Sequence, residues 1–204
     1  MSTVFLEPYP TQESALGRLT RLELEEPATG LVIRQDGTLA GGTMVEAARV
    51  LLGAGLLHDA VSVLAQALSR QAAAWWACRA ARLEAGGGPG ATEIPALEAA
   101  EDWVRAPAQS KAYAAQEVAE QVGYAAPAGC AALAAFLAGD SMAPAHLDPL
   151  PPLPHLAGLA AAGAVRLAAE RRSPVEADPR LRALLETGFA IAAGEETWQT
   201  LQPA

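Results

Sequence analysis

The block Gly139-Asp140-Ser141-Met142 places a serine where a nucleophile could sit. Such a serine acts when a buried strand presents it and a later Asp-x-x-His pair supplies the base. Here the block follows an alanine-rich helical stretch, and none of His58, His146 and His155 has an aspartate three residues before it. It reads instead as a helix terminator, Gly139, followed by a turn opened by Asp140 or Ser141. A Ser141, His146 and Asp148 assembly would have to close within one short strap and is rejected. The doublet His58-Asp59 could hold a metal on a helix if an upstream histidine completed the set, but His58 is the first histidine of the chain. It reads as a helix start at which Asp59 complements the helix dipole. The glycine-rich run at 86–90 could cradle a phosphate, yet no lysine follows it and no strand precedes it, so it reads as a flexible turn. The acidic pairs Glu25-Glu26, Glu101-Asp102 and Glu195-Glu196 read as solvated faces. Paired catalytic carboxylates need distinct environments that move their pKa values apart.

Cys78 and Cys130 are the only cysteines, far apart and each inside an alanine-rich stretch. They read as small buried hydrophobes rather than as a disulfide or zinc ligands. The formal charge is −9, from 14 basic and 23 acidic residues, and Lys111 is the only lysine. That balance removes the electrostatic driving force for nucleic acid and for anionic membranes. The first ten residues, MSTVFLEPYP, lack the basic start and apolar core of a secretory signal. The most apolar later segment, 156–169, is short and contains Arg166, so it is not expected to span a bilayer. A cytoplasmic location is expected, with no cofactor and no metal.

Two further features concern binding. Trp75 and Trp76 are adjacent, and adjacent residues on a helix point about 100° apart, so hiding both requires neighbours on more than one side. Trp75, Arg79 and Arg82 share one face at i, i+4 and i+7. One reading keeps Trp76 in the core and Trp75 partly covered, with Arg79 stacked on it or paired to an acid. The other makes Trp75, Arg79 and Arg82 a partner-binding patch, because tryptophan and arginine dominate interface hot spots. Pro149 to Pro154 spell PLPPLP, two overlapping PxxP registers. Recognition as a polyproline II ligand is conceivable, but no arginine or lysine lies nearby to orient it. A stiff spacer crossing the helical stack is the simpler reading.

The elements that position these residues are helical. Thr11 opens a helix over about 12–21, and Leu31-Val32-Ile33 followed by Asp36-Gly37 is the sole hairpin candidate. Thr43 and Glu46 form a capping box for a helix running to about Ala54, where Gly55 breaks it. Helices follow over about 57–68, from Ser69 to before Gly86, over 95–105, from Pro107 to Gly123, from Pro127 to Gly139 and over 155–171. Asp178-Pro179 starts the last, which stops at Gly194. The expected fold is all-α, an irregular stack of about eight short helices with a proline-rich strap (Met142 to Pro154) and an extended N-terminal segment. Residues 1–42 form an N-terminal arm, a short helix plus an irregular or hairpin segment, and 43–204 an alanine-rich helical domain.

The block order ALSRQAAAWWACRAAR (67–82), LEAAEDWVRAP (97–107), VGYAAPAGCAALAAFLAGDSMAP (122–144), the strap, and LAGLAAAGAVRLAA (156–169) resembles a known pattern. It is that of an uncharacterised bacterial domain-of-unknown-function family with a WWAC block, often encoded in type VI secretion gene clusters. The resemblance covers about residues 45–193. The family's tryptophan helix typically opens with a proline and carries a glutamate, where this chain has Ser69 and Ala72. Members often have tryptophan where this chain has Cys130 and Leu137. The resemblance brings no catalytic residues and implies a cytosolic accessory role in secretion, as adaptor, loading chaperone or scaffold.

The expected function is therefore that of a non-enzymatic helical interaction protein whose partner is another protein, a secretion component or an effector. An immunity protein that sets its acidic face against a basic effector cleft is an alternative. An enzyme whose site is not visible in the sequence is another.

Overall fold

A computed structural model of the chain describes residues 32–33, 39–82, 88–171 and 174–200. The helix expected over 12–21 lies outside the described residues. Two short strands, β1 (Val32–Ile33) and β2 (Leu39–Gly41), form an antiparallel ribbon that pairs Val32 with Gly41 and Ile33 with Leu39 across an irregularity. Eight α-helices follow among the described residues, and the fold is all-α. They are α1 (Met44–Gly53), α2 (Leu57–Ala67), α3 (Arg70–Arg82) and α4 (Ile94–Arg105), then α5 (Gln109–Val122), α6 (Pro127–Leu137), α7 (Leu156–Glu170) and α8 (Ala177–Ala193).

Local chemistry sets several helix ends. The capping box at α1 is complete: Glu46 N donates to Thr43 Oγ1 (3.2 Å), and Thr43 N donates to Glu46 Oε2 (2.6 Å). Ser69 Oγ accepts from Ala72 N at the start of α3 (3.2 Å). Gly194 ends α8 in the left-handed region, at φ 75°. Two starts differ from expectation. Pro107 stands ahead of α5 rather than at its first position, because Ala106 and Ala108 on either side of it are both non-helical. The helix begins only at Gln109. Asp178 lies inside the first turn of α8 instead of capping it, since a 3-10 turn over Pro174–Glu176 feeds directly into the helix.

The core is built on α3, α6 and α7. Helix α3 packs against α4, α6, α7 and α8, while α7 also touches α2 and α6. In α6, nine of eleven residues are buried, and its sequence PAGCAALAAFL is apolar on every side, as a helix enclosed all round must be. Small side chains let these axes approach closely. At Gly188 in α8 a Cβ would lie 2.7 Å from Trp76 Cε2 and 2.8 Å from Leu64 Cδ2, so the absence of a side chain there makes room for the indole. Trp76 Nε1 donates to Leu184 O (2.8 Å), the carbonyl one turn earlier on the same helix. The ring thus lies along α8, held by one polar contact and by fit.

Between α6 and α7 the chain runs as the strap. Every residue from 148 to 154 is a proline or immediately precedes one, which confines the backbone to extended, polyproline-like torsions. Residues 148–153 are accordingly neither helix nor strand. The strap is tied back at its inner edge: Leu150 N donates to Ser141 Oγ (3.0 Å) and Met142 N to Leu150 O (2.8 Å).

Candidate functional site

Of the residues singled out from the sequence, Glu25, Glu26, Gly86 and Gly87 lie outside the described residues, and the others do not gather into one exposed patch. Trp75 is 1% exposed and Trp76 is fully buried, so α3 is enclosed on both indole faces. Arg79 pairs with Glu196 and lies with its guanidinium carbon 5.7 Å from the Trp75 ring centroid. Arg82 faces elsewhere. Its Nε and Nη2 hold the two carboxylate oxygens of Glu101 at 2.5 and 2.8 Å, and Arg105 Nη2 adds a third contact at 3.2 Å. Trp75 is thus fully rather than partly covered, and both arginines are engaged, Arg79 with Glu196 and Arg82 with Glu101.

This corrects the reading of the acidic pairs. Glu101 is 3% exposed rather than solvated, and Glu196 is an ion-pair partner. Glu196 was not legible, because Arg79 lies 117 positions away; for Glu101 the i,i+4 neighbour Arg105 is local, but the arginine that grips both of its oxygens lies 19 positions away. The Glu101 fork is asymmetric: the carboxylate is buried while Arg82 and Arg105 remain 41% and 48% exposed in their side chains. Replacing both arginines by methionine strands the carboxylate and is expected to lower stability by about 1–3 kcal/mol. Glu101→Gln, which removes the buried charge and leaves the arginines in water, is expected to cost less. Urea unfolding of the two variants checks the order.

A second polar cluster escaped the sequence reading. Arg166, at 3% exposure, reaches from α7 to α2, where Nη2 donates to His58 O (2.8 Å) and to Ser62 Oγ (2.5 Å). Asp59 is buried beside them. His58 is half-buried; burial first and Arg166 second hold its imidazole below the ordinary 6.5, against the opposing pull of Glu170, Asp178 and Asp59. The signal was a lone arginine inside LAGLAAAGAVRLAAE, since a charge enclosed in an apolar helix needs partners across the interface. Among the described residues no group of three or more His, Cys, Asp or Glu side chains is arranged to hold a metal ion.

Ser141 is placed as a clamp. Its Oγ accepts from Ala143 N (3.1 Å) and Leu150 N (3.0 Å), while Gln109 bonds the Asp140 and Ser141 N–H groups and the Ser141 carbonyl. His146 and Asp148 are exposed on the strap. A hollow of about 340 Å³ opens beside this clamp, floored by Trp103 and rimmed by Arg70, Gln71, Gln109 and Asp140. Its polar rim is engaged in structure: Arg70 donates to Gly139 O and Gln71 to Val104 O. At the start of α4 a second fork holds Arg171 on the buried Glu93 at 2.6 and 2.7 Å.

Both cysteines are free and buried. Burial pushes the Cys78 thiol far up, and raises that of Cys130 to about 11. The Cys130 thiol also donates to Tyr124 O (3.0 Å). Neither is expected to react with a disulfide reagent at pH 8 in the native state, and both should titrate once the chain is unfolded in urea. A native thiol that reacts within minutes overturns this placement.

No helix among the described residues is long and apolar enough to cross a membrane. A family model described as a family of unknown function (DUF6931) matches residues 47–192, the span of the helical body. No curated protein and no solved structure matches the chain.

Proposed function

We propose that this chain, which belongs to the family of unknown function DUF6931, is a helical protein-interaction module that works without chemistry of its own. We place it in the cytosol, as an adaptor or loading chaperone of a type VI secretion system. One observation carries the reading. Ser141, Glu101 and Arg166 are engaged in holding the helices and the strap together, whereas large apolar side chains stand out on the strap at Leu147, Leu150 and Leu153. The secretion context is supported by the sequence resemblance of the WWAC block and the blocks that follow it.

The test is to delete the gene in a host that carries it and measure contact-dependent killing and effector release, alongside affinity capture of the tagged full chain. Loss of release, with a secretion component or effector recovered, is the expected result. Unchanged release together with no such protein recovered overturns the reading. The formal charge of −9 favours one second reading, an immunity protein facing a basic effector cleft. It requires that co-expression rescue cells from that effector.

A further inference from the structure

Leucines recur at every third position from the strap into α7, at 147, 150, 153, 156 and 159. Three residues make one turn of a polyproline II helix. Leu150 and Leu153 therefore stand on one edge of the strap about 9 Å apart, with Leu147 ahead of them at the end of a turn closed by its N–H to Pro144 O (2.9 Å). Leu147, Leu150, Leu153 and, on the first turn of α7, Leu159 are each more than half exposed. The inner side explains the orientation: Ser141 and Met142 clamp Leu150 by its backbone, and Pro152 is buried against the body. Fixed from within, the strap turns its leucines outward. They offer apolar surface on the order of a few hundred Å², a size that marks interaction sites.

We propose that this strap is a preformed polyproline II ligand, seated in a groove on a partner protein that is lined by at least two aromatic rings and carries a cation opposite Asp148. This rests on the reading of the chain as an interaction protein and names the element that binds. Prolines 149, 151, 152 and 154 have no N–H to donate, which rules out pairing as an added β-strand. Aromatic-lined grooves are the surfaces that recognise such a segment, through its prolines and the apolar side chains between them. Because its torsions are already fixed, docking costs little ordering entropy. Residues 140–155 contain Asp140 and Asp148 and no lysine or arginine, so the complementary groove is basic at that point. A second copy fits poorly: among the described aromatic rings only Tyr124 is exposed, one short of the two such a groove needs, and two chains of charge −9 repel. An anionic lipid surface is repelled likewise.

The experiment places a photoreactive phenylalanine analogue at position 150 or 153 of the full-length protein in its host, with position 117 on α5 as control. Adducts from 150 and 153 to one protein, mapped to a groove containing aromatic residues, are expected. That purified protein should bind the unmodified chain at least 30-fold more tightly than the Leu150→Ala/Leu153→Ala variant. Both leucines are exposed, so the variant's circular dichroism should match the wild type. Adducts confined to a second copy, to lipid or to a surface without aromatic rings overturn the proposal, as does unchanged affinity of the double variant. A secretion component captured from position 117 alone overturns the strap assignment and leaves the interaction reading standing. Absence of adducts from all three positions overturns both.

Discussion

Replacing Trp76 with alanine lowers the free energy of unfolding by about 3–5 kcal/mol, a large part of the total stability of a domain this size. The ring is fully buried, and the space it leaves cannot close easily, because α8 meets it with Gly188, which has no side chain to move in. The expected observation is a clear fall in the urea midpoint with an unchanged slope. Trp76→Phe recovers part of the volume but loses the N–H bond to Leu184 O, and falls between. Trp75 provides an internal control. Its indole N–H is buried and bonds no partner among the described residues, so Trp75→Phe gives up volume alone and is expected to cost less than Trp76→Phe. Equal losses at the two positions would contradict the assignment of the Leu184 bond.

Removing Arg166 is the second large effect. Arg166→Ala deletes a buried side chain and its bonds to His58 O and Ser62 Oγ and leaves a cavity between α7 and α2, with an expected loss of about 2–5 kcal/mol. Arg166→Met keeps more of the packed volume and serves to read the electrostatics. In the wild type the folded state holds His58 below 6.5, so the unfolded chain takes up this proton more readily. The contribution of His58 to stability is complete above pH 6.5 and drains as the pH falls below it. Without Arg166, the charged groups left acting on the imidazole, Glu170, Asp178 and Asp59, all favour its protonated form. The His58 resonance should then titrate at higher pH in Arg166→Met, and the acid slope of stability should flatten. A titration that stays put or moves down refutes this account.

Much of the fold is readable from local chemistry. Thr43 with Glu46, Gly123, Pro127 and Gly194 mark helix ends through groups within a few residues of one another, and each end falls where those groups require. The adjacent indoles likewise imply a helix enclosed on more than one side, because the angle between them is a property of the helix itself. The partners of the charged residues are a different matter. Glu196 and Arg79 meet only because α8 returns to α3, and Arg166 meets His58 only because α7 crosses α2. No local pattern carries that information. The PLPPLP registers make the strap legible as polyproline II, but which edge faces outward depends on the Ser141 bond to Leu150 and on the burial of Pro152, which no local pattern carries.

The Trp76 bond to Leu184 spans 108 positions, and it has a consequence for how the protein is made. A ribosome releases α3 well before α8, so the α8 side of the indole's pocket stays open until α8 has left the exit tunnel. The nascent chain must carry an open apolar seam while those 108 positions are made, and closure waits for α8. Cells lacking the chaperones that shield such seams should therefore lose this protein by aggregation during translation.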